Sequence, residues 1–133
     1  TYQFVHAGYQ HLFLNMIMQI ILGFPLNMVH GSLRFGLIYE LCVIGGALSY
    51  VVVDEASNTL VGCSAGVYGI FGIHIAELAI NWDSDKKGYM NRWTRLFIIF
   101  ILIFTDTLLY FQARNSSTSY TAHLGGFLTG LLL

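Results

Sequence analysis

The sequence predicts an all-α polytopic bundle of membrane-spanning helices. Two counts and one pattern carry that expectation. Of 133 residues, 56% are hydrophobic and only 10% are charged, against about 25% charged in an average soluble domain. A globule this small has a large surface relative to its volume. Six basic and seven acidic residues cannot cover it. The apolar residues are also gathered into long runs separated by short polar stretches. The same numbers exclude other classes. Disordered chains are poor in apolar residues. A net charge of −1 gives no electrostatic reason to bind nucleic acid. Two cysteines make neither a disulfide framework nor a zinc ribbon.

A transmembrane helix needs about 20 mostly apolar residues, and five segments qualify in whole or part. The first covers 9–22 and is closed by Gly23 and Pro25. The second covers 34–53 and is closed by Asp54 and Glu55. The third runs over 64–80 and ends at Asn81 and Asp83. The fourth, 96–112, is the most uniformly apolar. The fifth starts at Ser119 or Tyr120 and meets the end of the chain. From Tyr120 it is roughly 21 Å long at about 1.5 Å per residue, short of a core of about 30 Å. The chain starts at Thr1 rather than Met and stops within Leu131-Leu132-Leu133. Residues 1–133 are therefore expected to be one transmembrane domain truncated at both ends, with the last helix cut.

Alternating spans put the 24–33 and 82–95 loops on one side, with Arg34, Lys86, Lys87, Arg92 and Arg95. The other side holds the N-terminal segment, the 54–63 loop and the 113–118 loop, with Arg114 alone. Basic residues favour the cytosolic face, so the first side is cytosolic. The first, third and fifth helices then begin at the outer face.

Polar side chains inside a membrane are costly and mark functional candidates. Depth sorts them. His11 lies a few residues into the first helix, and Asn15 is one turn on, on the same face. Ser64 opens the third helix, and His123 lies three or four residues into the fifth. At about 1.5 Å per residue, all four fall within roughly the outer 5 to 15 Å. Ser64 sits in Gly62-Cys63-Ser64-Ala65-Gly66. Glycines there permit a sharp turn and close backbone approach, and a helix N-terminus presents free N–H groups to developing negative charge. A serine needs a base to act as a nucleophile, and His123 is the available one. Asn15, His11 and the Ser64 N–H are candidate oxyanion donors. The bland alternative for Ser64 is a small residue at a helix contact.

These residues resemble the rhomboid intramembrane serine proteases. The matching motifs are His6-Ala7-Gly8, His11-Leu12-Phe13-Leu14-Asn15-Met16, Gly62-Cys63-Ser64 with Tyr68, and Ala122-His123-Leu124-Gly125-Gly126 with Gly130. They span nearly the whole chain in the family's order. The resemblance implies Ser64 as nucleophile, His123 as base in a dyad without an Asp, His11 and Asn15 as oxyanion donors, and Tyr68 packed on His123. It makes the five helices the second to sixth of six core helices. Pro25-Leu26-Asn27-Met28-Val29-His30-Gly31 is most similar to the animal secretory-pathway branch, which implies the Golgi, endosome or plasma membrane. Ala65 stands where the family usually has Gly, and its methyl is expected to be tolerated.

Small residues support one helix pairing. Ala65, Gly69, Gly72 and Ala76 form a stripe on the third helix; Ala122, Gly126 and Gly130 form one on the fifth. Such faces let backbones approach closely, which would hold Ser64 near His123.

The remaining candidates read as structural. His6 is expected to hydrogen-bond loop groups and His30 to be solvated. His74 lies about 15 Å deeper than Ser64 and cannot reach it. Glu40, Glu77 and Asp106 lie at different depths and form no metal cluster. Cys63 has no base by spacing and reads as packing. Asn115-Ser116-Ser117 is a glycosylation sequon in a loop that could cap the site.

The leading function is an intramembrane serine endopeptidase, with no metal or cofactor implied; the resemblance implies single-pass membrane proteins as its substrates, growth-factor precursors among them. The alternatives are a catalytically inactive rhomboid-like protein that binds membrane clients, and a transporter. Inactive relatives typically lack the Ser or His. A transporter needs a polar track across the bilayer, whereas here the key groups share one layer.

Overall fold

A computed structural model describes residues 2–54, 60–82, 91–112 and 119–133, except the side chains of 106 and 109–112. Lys86, Lys87, Arg114, the Asn115 sequon and its loop, and the Asp106 side chain lie outside the described residues. Among the described residues a short 3-10 turn, Tyr2–Phe4, precedes five helices. These are α1 (Tyr9–His30), α2 (Ser32–Val53), α3 (Ser64–Ile80), α4 (Arg92–Gln112) and α5 (Tyr120–Leu132). No strand occurs among the described residues.

The first helix corrects the sequence reading. It does not stop at Gly23 and Pro25 but continues to His30. A π-helical turn over Gln19–Gly23 interrupts it, and α-helix resumes at Phe24. Pro25 thereby falls in the first turn of the resumed segment, where its missing N–H and fixed φ are tolerated. The break comes instead at Gly31, with φ +79°, a conformation that favours glycine. With 22 residues each, α1 and α2 are long and apolar enough to cross a membrane.

The buried and exposed faces are sorted by size as well as polarity. Glycine and alanine line the contacts between α2, α3 and α5. Leu37, Leu41, Ile44, Leu48 and Val51 on α2, and Phe97, Phe100 and Phe104 on α4, point outward. An outward face of large apolar side chains suits lipid, and small residues at the interfaces let helices pack by close approach. The expected pairing of the third and fifth helices is present. A Cβ on Gly126 would lie 2.0 Å from the Ala65 carbonyl oxygen, and one on Gly130 would lie 2.0 Å from that of Gly69. The sequence reading missed that α2 joins them. Gly46 faces both the Ala65 methyl and the Ala122 carbonyl, and Ser49 packs at Gly125.

A second cluster, of Met18, Leu22, Leu26, Val67, Ile70, Phe71, Ile73 and Ile99, joins α1, α3 and α4. Buried within α3, His74 Nε2 pairs with the Leu22 carbonyl at 3.0 Å. It therefore has the structural role expected of it. Near the end of α3 Glu77 joins three helices: its Oε1 meets His30 Nε2 at 2.5 Å and its Oε2 accepts from Arg95 Nη1 at 3.2 Å. His30 is thus not solvated in a loop. The extension of α1 brings it to Glu77. Glu40 accepts from Gln3 Nε2 on the N-terminal segment.

Candidate active site

The site is built where α3 and α5 begin. Gly62 adopts φ +101°, which turns the chain sharply before Ser64, the first residue of α3. A side chain could not be added there. A Cβ on Gly62 would lie 2.7 Å from His11 Cε1, so the imidazole of α1 packs directly on the turn. Ala65 is level with Gly46, seven residues before the end of α2. Ser64 therefore lies about 10 Å inward of that end, at about 1.5 Å per residue.

His123 is buried on the fourth residue of α5. Its Nε2 lies 2.7 Å from Ser64 Oγ, a short hydrogen bond. When Nε2 carries no proton, the serine hydroxyl donates to it. The imidazole is stacked on Tyr68, with ring centroids 4.2 Å apart and planes 14° from parallel. Tyr68 lies one turn after Ser64 on the same helix, so α3 supplies both the hydroxyl and the surface that orients the ring bonded to it. The edge of Tyr120 closes the other side, 6.3 Å between centroids.

The two residues on α1 present donors. The Ala7 N–H donates to His11 Nδ1 at 3.4 Å, which leaves Nε2 as the protonated nitrogen in the neutral ring. Asn15 is 5% exposed, and its Nδ2 is buried with no hydrogen-bond partner among the described residues. A buried amide left unsatisfied costs free energy. A buried donor of that kind is what an oxyanion could satisfy.

The structure therefore brings together Ser64, His123 and Tyr68, with Gly62 and His11 at the turn and Gly126 at the helix contact beneath. His6 also has a local role, as expected: its Nε2 accepts the Cys63 N–H at 3.5 Å and lies 3.3 Å from Cys63 Sγ. Spacing had suggested that Cys63 has no imidazole beside it; the fold of the N-terminal segment supplies one. The Ala65 methyl fits because residue 46 is Gly. A Cβ there would come within 2.4 Å of it. Among the described residues no group of three or more His, Cys, Asp or Glu is placed to hold a metal ion.

Comparison with known proteins shows the family. The Rhomboid domain family model matches residues 1–133. Rhomboid-related protein 1 of Caenorhabditis elegans is 38% identical over 136 residues, covering 98% of this chain and 37% of that protein. Rhomboid-related protein 3 of Homo sapiens is 34% identical over 139 residues, covering 100% and 34%. Rhomboid-like protease 1 of Toxoplasma gondii is 31% identical over 127 residues, covering 96% and 42%. The chain thus spans between 34% and 42% of the length of these relatives. No solved structure matches.

Proposed function

The chain belongs to the rhomboid family, a helical membrane fold, and from that premise we propose that it is an intramembrane serine endopeptidase. Its substrates are single-pass membrane proteins, growth-factor precursors among them, cleaved in or near the outer part of the transmembrane segment. Its compartment is the secretory pathway. The observation that carries this reading is the 2.7 Å pair of Ser64 Oγ and His123 Nε2, with the imidazole held flat on Tyr68.

In this mechanism Ser64 Oγ attacks the scissile carbonyl carbon while His123 Nε2 takes the hydroxyl proton. Negative charge moves to the carbonyl oxygen, and Asn15 Nδ2, His11 Nε2 and the Ser64 N–H donate to it. The free N–H groups of the α3 N-terminus add a favourable field. The C–N bond then breaks, and His123 returns the proton to the departing amine. Water attacks the Ser64 ester by the same route and releases the carboxylic acid. Burial of His123 and Asn15 excludes bulk water and strengthens each of these interactions.

The test uses the full-length protein in proteoliposomes with a tagged single-pass substrate and, separately, a fluorophosphonate. The expected result is a cleaved substrate and a phosphonyl adduct mapped to Ser64. Intact substrate with no adduct on Ser64 would overturn the proposal and favour client binding. A further outcome concerns Asn15. Asn15→Ala is expected to lower kcat about a hundredfold with KM little changed, because an oxyanion donor acts chiefly in the transition state. A rise in KM at constant kcat would assign Asn15 to substrate binding instead.

A further inference from the structure

One carboxylate outside the dyad joins the two helix ends that frame it. α2 ends at Val53, and Asp54 leaves helical conformation with φ −89° and ψ 132°. Its Oδ2 accepts from Ser119 Oγ at 2.9 Å and from Thr121 Oγ1 at 2.5 Å. The two hydroxyl oxygens are themselves 2.8 Å apart. Ser119 caps α5, its Oγ accepting the Ala122 N–H at 3.2 Å. The carbonyl of Ser119 accepts the N–H of His123 at 3.2 Å. The residue that holds the His123 amide is therefore itself held by Asp54.

The first turn of a helix needs such support. Its leading N–H groups have no partners within the helix and are satisfied by caps. His123 is the fourth residue of α5, so fraying of this turn moves the imidazole away from Ser64. A carboxylate at a helix N-terminus also meets the positive end of the dipole. Farther along, α5 is fixed by backbone contact at Gly126 and Gly130, which leaves the first turn as the part that the clamp governs.

We infer that Asp54 is a positioning residue that ties the first turn of α5 to the end of α2 and so keeps His123 Nε2 in reach of Ser64. This rests on the dyad reading above. Asp54 acts through Ser119 and Thr121 and needs no contact with the reacting atoms.

The experiment compares wild type, Asp54→Ala, Asp54→Asn, Thr121→Val and Asp54→Ala with Thr121→Val, all full-length in proteoliposomes. Three quantities are read: kcat and KM, the rate of Ser64 phosphonylation, and hydrogen exchange of the 119–124 segment. Asp54→Ala is expected to lower kcat and the phosphonylation rate together, about tenfold, with KM within about twofold, as for loss of hydrogen bonds to a charged group. Asp54→Asn should recover most of the rate, because its amide oxygen still accepts from both hydroxyls. Thr121→Val should cost activity alone but add little to Asp54→Ala. Exchange in 119–124 should rise in Asp54→Ala. Unchanged kcat and phosphonylation in Asp54→Ala, or additive losses in the double variant, would overturn the inference. If Asp54→Ala does not fold, Thr121→Val and Asp54→Asn carry the same comparison. Exchange reads the clamp even in an inactive protein. A wild type that neither cleaves nor labels therefore counts against the dyad, whereas unchanged exchange in the variants counts against Asp54.

Discussion

Ser64→Ala and His123→Ala are each expected to abolish cleavage, lowering kcat by about four to six orders of magnitude, with the fold retained. The magnitude follows from how the two groups act. A serine hydroxyl is a weak nucleophile until a base removes its proton, so loss of either partner removes the same step. The double variant should therefore be no slower than the slower single one. The fold should survive Ser64→Ala because Ala fits the helix N-terminus and the packing beneath it is made by Ala65 and Gly126. His123→Ala is a larger change, since the buried ring stacks on Tyr68. His123→Gln, which keeps a polar side chain of similar reach, is the second variant. Cleavage and Ser64 phosphonylation are measured on protein whose thermal unfolding matches wild type. Product formation by folded Ser64→Ala would refute the nucleophile assignment.

Gly126→Val is expected to lose stability and activity together, and Gly126→Ala should do so to a lesser degree. The cause is steric and lies in the backbone. A Cβ at 126 would stand 2.0 Å from the Ala65 carbonyl oxygen and 3.0 Å from the Ala65 Cα. No rotamer change relieves a clash with main chain, so α3 and α5 must separate. Overpacking of this kind costs about 1–3 kcal/mol for small additions, and Val adds further methyls to the same contact. Separation also lengthens the Ser64–His123 distance, because the two residues begin the helices that Gly126 joins. The check is thermal unfolding in detergent beside cleavage in proteoliposomes. Full activity with normal unfolding in Gly126→Val would show that the α3–α5 approach does not set the site.

The helices and the depth of the site were legible because both follow from local rules. Apolar runs give spans, polar stretches give the loops between them, and about 1.5 Å per residue puts Ser64, His11 and His123 at one level. The small-residue stripes on α3 and α5 named the correct pair. Pro25 misled because a proline usually ends a helix. A π-helical turn upstream placed it in a tolerated position, and hydrophobic periodicity carries no signal for such a turn. The error carried over to His30, which was placed in solvent instead of against Glu77.

Other features are invisible along the chain because their partners are far apart in it. Asp54 reads locally as the end of a helix, yet it meets Ser119 and Thr121 across 65 and 67 positions. Cys63 reads as packing until the N-terminal segment brings His6 to it. Gly46 is not singled out by the sequence, and only the crossing of three helices shows why Ala65 fits.

Low charge and its placement settled that this is a membrane bundle and which residues share a depth, since these depend on solvation and helical rise alone. Which atoms meet within hydrogen-bond distance depended on three helices approaching at glycines, a non-local balance of contacts. The 2.7 Å approach of Ser64 to His123 is a product of that packing, and depth alone could not have specified it.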